Sequence, residues 1–134
     1  MQKVVSAIIF YQKNFLILYD QNFSYCVLVQ GHVESGESMR EALSREIREE
    51  TGFTNIKIIK QIGRHQYHYQ KEGSAIYKKI VIYLVELISL ENIRPKMLKH
   101  ELFSNKLLTF EQALTKLVHT PDKKYLQIAN SLIK

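Results

Sequence analysis

Tryptophan is absent from the 134 residues, cysteine occurs once, proline twice and glycine five times. With Cys26 alone no internal disulfide can form, and a reducing cytoplasm is the expected compartment. Its neighbours Tyr25, Val27 and Leu28 read as a strand, so Cys26 is expected to be a small core residue rather than a nucleophile. So little glycine and proline excludes a collagen-like repeat or a linker-like chain. Long apolar runs are missing as well: residues 7–10 and 80–85 are far too short to cross a bilayer. The opening Met1-Gln2-Lys3-Val4-Val5 starts no apolar stretch and shows no small-residue cleavage site, so no signal peptide is expected. What remains is an ordinary globular mixture, 46% apolar and 24% charged. Its length suits one domain over residues 1–134 with a real core.

Charge is distributed unevenly. Lysine and arginine number 19 against 13 acids, for a net charge of +6. Six of those acids, Glu34, Glu37, Glu41, Glu46, Glu49 and Glu50, fall in one short stretch with Arg40, Arg45 and Arg48. The stretch is net −3 and the rest of the chain net +9. An acidic island in a basic protein points to a cation site beside a surface that attracts anions. A solvated helix would look the same by charge alone.

The apolar pattern alternates between strands and helices. Residues 4–11 and 15–19 read as strands joined by a turn at Gln12-Lys13-Asn14, and residues 25–29 as a further short strand. Residues 31–37 carry two glycines and are expected to loop. Ser38 followed by Glu41 is a capping box that starts a helix with Met39, Leu43 and Ile47 at helical spacing, ended by Thr51-Gly52. Residues 53–69, with Gly63 as a bulge, and 76–87 read as a hairpin around Lys71-Glu72-Gly73-Ser74. Residues 90–100 are polar and expected to loop, and 101–108 form a last strand. Thr109 caps a helix from Phe110 to about His119, with Ala113 and Leu117 inward, and Pro121 opens a final one. This order predicts an α/β sandwich, a mixed sheet between helices.

Residues 31–53 read GHVESGESMREALSREIREETGF. Glu46, Glu49 and Glu50 stand at i, i+3 and i+4 and fall within an arc of about 100° on the helix. That arc borders the Leu43–Ile47 stripe, so these carboxylates belong at the edge of the core. Crowded acids repel unless a positive charge lies among them, and a hard divalent cation with oxygen ligands answers that need. Arg45 lies beside them, placed to pair with Glu37 and pin the loop to the helix. An ordinary charged helix, with an Arg45–Glu49 pair, is the plainer alternative.

The full stretch favours the first reading, because it matches the Nudix box at every specified position. These are Gly31, Glu37, Arg45-Glu46-Ile47, Glu49-Glu50 and Gly52-Phe53, nine positions over twenty-three residues. The chain resembles the Nudix hydrolase family over essentially its whole length. The resemblance implies a Nudix-type α/β/α sandwich whose loop–helix–loop binds Mg²⁺ or Mn²⁺ and hydrolyses a nucleoside diphosphate linked to another group. By position it makes Glu49 and Glu50 principal metal ligands and Glu46 a ligand or the general base. The Gln30 carbonyl would be a further ligand, and Arg45 with Glu37 the scaffold pair, between Gly31 and Gly52. Enzymes of this family often use one more acid from outside the box, and Glu101 is the candidate.

Substrate choice rests on three features. Leu28-Val29-Gln30-Gly31-His32-Val33-Glu34 resembles the Pro-Lys-Gly-His-Val-Glu stretch of asymmetric diadenosine tetraphosphate hydrolases, with Val29 for Pro and Gln30 for Lys. Glutamine before that glycine also occurs in RNA 5′-pyrophosphohydrolases. Tyr67 and Tyr69 share one strand face, as do Tyr77 and Tyr83 on the next strand. The hairpin with Tyr77-Lys78-Lys79-Ile80 looks like that of the small diadenosine tetraphosphate hydrolases, where rings stack on adenine and a lysine meets phosphate. The resemblance thus implies Tyr67, Tyr69, Tyr77 and Lys78 as substrate contacts, and His32 lies where it would approach phosphate. Packing of the sheet is the competing role for each single tyrosine. The positive charge suits several phosphates; it also suits RNA, but the lysines are scattered and no RNA-binding motif is present. His65 and His68 fall on opposite strand faces and share no metal, and His119 is expected to end a helix.

The favoured expectation is a Mg²⁺-dependent pyrophosphohydrolase splitting diadenosine tetraphosphate asymmetrically into ATP and AMP, a small-molecule nucleotide being its partner and no membrane. A MutT-like (d)NTP pyrophosphatase or an RNA 5′-pyrophosphohydrolase is one alternative, and a non-catalytic nucleotide-binding module another. Oligomeric state, monomer or homodimer, is open.

Overall fold

Six consecutive residues of the first strand, Val4 to Ile9, are buried, the pattern of a strand covered on both faces. In this computed structural model, which describes residues 1–93 and 103–133, Val4 and Ile8 join one apolar cluster and Val5, Ala7 and Ile9 another. The elements run β1 (Gln2–Tyr11), β2 (Asn14–Asp20), β3 (Tyr25–Val27), β4 (Val29–His32), α1 (Met39–Thr51), β5 (Ile56–Lys71), β6 (Ser74–Leu87), β7 (Phe103–Leu108), α2 (Phe110–Lys116) and α3 (Thr120–Leu132). Seven strands form one mixed sheet whose main path is β3-β2-β1-β6-β5, with β4 on β1 and β7 on β2. The pairing of β1 with β6 is parallel and the others are antiparallel. Ala42, Leu43 and Ile47 of α1 cover one face; Ala113 of α2 and Tyr125, Leu126 and Ala129 of α3 cover the other. This is the expected sandwich, and Cys26 is a buried part of its core.

Capping signals acted as read. Ser38 Oγ accepts from the Glu41 N–H at 3.1 Å, and Glu41 accepts from the Ser38 N–H at 2.9 Å. Gly52 closes α1 at φ 83°, in the left-handed region. Asn92 and Asn105 donate to the Thr51 carbonyl at 2.9 and 2.8 Å and anchor that helix end.

Several boundaries differ from the sequence reading. The strand expected over residues 25–29 breaks at Leu28: β3 pairs with the end of β2, while β4 pairs with the start of β1. β1 and β2 diverge beyond their hairpin, so one continuous segment serves both edges of the fork. Gly31 and His32, expected in a loop, belong to β4 because Val5 and Val4 of β1 register with them. β5 begins at Ile56, and Phe53 instead makes an isolated bridge with Asn92. α2 stops at Lys116, so His119 precedes α3 as its N-cap position rather than ending a helix. The register of β5 does shift between Gln61 and Gly63. A Cβ at Gly63 would collide with the Tyr125 ring, which explains the glycine.

Candidate active site

Arg45 organises the acidic helix. Its Nε donates to Glu37 Oε2 at 2.7 Å and its Nη2 to Glu37 Oε1 at 2.9 Å, a two-pronged pair. Nη2 also donates to the His32 carbonyl at 2.9 Å, while Nη1 reaches Glu46 at 2.8 Å and Glu49 at 3.3 Å. One guanidinium thus ties β4, the following loop and two turns of α1 together. The Arg45 hydrogen bonds, with the Glu34 N–H, hold the Glu37 carboxyl down at about 2.

Glu46 and Glu50 sit deeper. A Cβ at Gly31 would collide with the Glu46 carboxyl, so only glycine lets this carboxylate lie against β4. Burial raises the Glu46 pKa, and Arg45 offsets part of that rise. Glu50 accepts from the Gln30 N–H at 3.1 Å. That N–H points away from β1, and in a strand the carbonyl of the same residue faces the same edge. The Gln30 carbonyl therefore faces the same edge as this N–H, away from β1. Burial pushes the Glu50 carboxyl up to about 8, and Glu46, Glu49 and Asp20 add to it. Glu50 is thus a partly buried acid among three others, while Arg45 is engaged with Glu37, Glu46 and Glu49.

The donor chemistry, carboxylates with a backbone carbonyl, is that of a hard divalent cation. As the side chains stand, no group of three His, Cys, Asp or Glu among the described residues is arranged to hold an ion. Glu46 and Glu49 lie on Arg45, and Glu50 lies on Gln30. Glu101, the expected extra acid, lies outside the described residues.

A cavity of about 510 Å³ crosses the sheet from these acids. Asp20, Gln30 and Glu50 bound one end, Ile80 and Ile82 line the middle, and His65 and Tyr67 bound the other. Asp122, at the start of α3, lines it too. From Tyr125 the rings of His65, Tyr67 and Tyr69 form a stacked row along β5, with successive centroids 5.8, 6.3 and 6.2 Å apart. Lys78 pairs in register with Tyr67 and places its Nζ 5.6 Å over the Tyr69 ring. His32 and Lys78 register with Val4 and Gln2 of β1, on this same face, and His32 Nε2 lies 3.2 Å from Gln2 Oε1. Burial and the Lys78 ammonium lower the His32 pKa.

Tyr67, Tyr69, Lys78 and His32 thus lie on one face of the sheet. Tyr77 does not join them, because it pairs with His68 and faces the α1 side. Sequence reasoning missed Asp20, Asp122 and the place of His65, whose Nδ1 lies 3.1 Å from the Tyr125 hydroxyl. No local signal marks the two aspartates. His65 was findable, being two residues before Tyr67 on the same strand face.

A family model described as the NUDIX domain matches residues 1–127. The structure is similar to a C. elegans Ap4A hydrolase binary complex, at TM-score 0.75 and 20% identity, covering 99% of this chain and 98% of that one. It is also similar to the E. coli dihydroneopterin triphosphate pyrophosphohydrolase, at TM-score 0.75 and 16% identity, covering 94% and 92%. By sequence it is 24% identical over 106 residues to a curated protein named putative mutator protein MutT4 from Mycobacterium tuberculosis, which covers 79% of this chain. The chain spans only 41% of that relative's length. Among the described residues no helix is long and apolar enough to cross a membrane. The box from Gly31 to Phe53, the sandwich around it and the match over residues 1–127 agree: the chain belongs to the NUDIX domain family.

Proposed function

We propose that this chain, as one domain over residues 1–134, is a divalent-metal-dependent pyrophosphohydrolase whose favoured substrate is diadenosine tetraphosphate, cleaved to ATP and AMP. The observation that carries the reading is that the Glu50 carboxyl opens into the same cavity as His65 and Tyr67. Acids able to hold a metal and rings able to stack on a base therefore address one ligand.

Glu46, Glu49, Glu50 and the Gln30 carbonyl would hold Mg²⁺ or Mn²⁺. When bound, the metal neutralises the pyrophosphate oxygens and makes water a better nucleophile. Glu46, raised by burial, takes the proton as the water oxygen attacks phosphorus in line. The P–O bond opposite breaks, and the leaving phosphate keeps the bond electrons. Arg45 holds Glu46 and, through Glu37 and the His32 carbonyl, keeps the helix against β4. Glu101 remains a further proposed acid on sequence grounds. Tyr67 and Tyr69 stack on an adenine, and Lys78 and His32 meet the phosphate chain. A MutT-like (d)NTP pyrophosphatase is the second reading, favoured by the name of the curated relative.

A substrate panel with and without Mg²⁺ tests both. ATP plus AMP from diadenosine tetraphosphate is expected; nucleoside monophosphate plus pyrophosphate from NTPs or dNTPs would select the second reading. Removing metal with EDTA is expected to abolish turnover. Glu50→Gln is expected to lower kcat by about 100-fold or more, of the order seen when one key electrostatic group is lost. Near-normal activity in that variant would refute the ligand assignment.

A further inference from the structure

A second cavity, of about 560 Å³, opens on the α2 side of the sheet beside β2, β3 and β7. Tyr19 and Tyr25 give it aromatic surface and Cys26 lies at its base. Lys106 enters from β7, Thr115 and Lys116 from α2. Burial raises the Cys26 thiol, and the Lys116 and Lys106 ammonium groups pull it back. Two cations from different elements thus line one cavity. Neither has an ion-pair partner among the described residues, and no acid lines the cavity. Lys106 Nζ lies 5.9 Å over the Tyr19 ring. Like charges held together at a concave surface favour an anion between them. Aromatic faces beside them favour one that carries a flat ring.

The two cavities share a wall. Tyr25 lines the second and His119 the first, and their rings meet edge-on at 5.8 Å. Phe23, exposed at the rim, packs on Tyr25 at 5.5 Å. Asp20 Oδ1 accepts from the Asn22 N–H at 2.9 Å, and the Asp20 carbonyl from the Ser24 N–H at 2.8 Å, which shapes this rim.

We propose that the second cavity is a nucleotide subsite, taking the base and nearest phosphate of the far half of a dinucleoside polyphosphate whose scissile phosphate lies at Glu50. The assignment to the far half rests on the pyrophosphohydrolase reading above. Binding of a nucleotide in the cavity does not.

Both lysines are exposed and neither lines the Glu50 cavity, so Lys106→Met with Lys116→Met is expected to leave the fold and the Glu50 site unchanged. This double variant is expected to raise KM for diadenosine tetraphosphate about tenfold with kcat within about twofold, and to leave KM for adenosine 5′-tetraphosphate, which lacks the far nucleoside, within about twofold. Equal changes for both substrates, or none for either, overturn the far-half assignment. In parallel, AMP is titrated into the metal-free protein and followed by NMR. Shifts at Tyr25, Cys26 and Thr115 that vanish in the double variant are expected, and their absence overturns the subsite. AMP shifts without the kinetic discrimination mark a separate nucleotide site and overturn the far-half role. Failure of the pyrophosphohydrolase reading shows differently: the unmodified protein turns over neither substrate while the AMP shifts persist.

Discussion

At the residue scale, the site depends on where a side chain is missing as much as on where one is present. Gly31 leaves the space that the Glu46 carboxyl occupies. The atoms a new methyl would meet are the free end of a flexible side chain, so the protein has a cheap escape, moving the carboxylate. Gly31→Ala is therefore expected to cost only about 1 kcal/mol in thermal or urea unfolding, the low end for an added methyl. Its activity is expected to fall by about 100-fold, since misplacing a reacting group by an ångström has that effect. A large stability loss with normal activity would contradict this account. Asp122 makes a different case. Burial raises its carboxyl from 3.8 to about 6, with His119 pulling it down. The folded state therefore retains a proton that the unfolded chain has released. Stability from the neutral form is complete below 3.8 and lost as pH rises through about 6. Relative to Asp122→Asn, the parent is expected to lose Tm between about pH 4 and pH 7. A pH-independent difference between the two would refute the burial account.

At the scale of elements, two periodicities place the chemistry. Helical spacing puts Glu46 and Glu49 on Arg45 and Glu50 on the Gln30 N–H, and both ends of α1 carry the caps that the sequence announces. Strand alternation sorts the tyrosines. Tyr67 and Tyr69 share the cavity face with Lys78, whereas Tyr77 lies on the other face with His68. Tyr67→Ala is accordingly expected to raise substrate KM by about tenfold, the worth of one ring–base stack. Tyr77→Ala is expected to leave KM within about twofold. Steady-state kinetics on the same substrate checks both, and equal effects would mean that the stacked row is not the base platform. The break at Leu28 lies beyond either periodicity. Residues 25–29 read as one apolar strand, and only the divergence of β1 and β2 decides that residues 25–27 pair with β2 and residues 29–32 with β1.

Across the whole molecule, charge and topology act together. The chain is net +6 although its acidic stretch is net −3, so the polyphosphate of the proposed function would be attracted by the positive remainder of the chain. Such attraction is screened by salt, and KM for a polyphosphate substrate is expected to rise roughly threefold from about 50 to about 300 mM NaCl with little change in kcat. A flat KM would assign binding to short-range contacts alone.

The sequence by itself determined the family, the sandwich, the helix carrying the carboxylates with its caps, and the Arg45–Glu37 pair. The box, the caps of α1 and the pair are local: they fall within residues 31–53, where spacing and helical geometry define distance. The tertiary structure alone decided which distant segments meet. Asp20, Glu50, His65 and Asp122 line one cavity through the strand order β2, β1, β6, β5 and the start of α3. Lys106 and Lys116 line one cavity because α2 returns over β7. Tyr77 is separated from Tyr67 because neighbouring strands pair in one register and not the next. Register and topology are set by burial on both faces of the sheet at once, a condition that no single stretch of sequence displays.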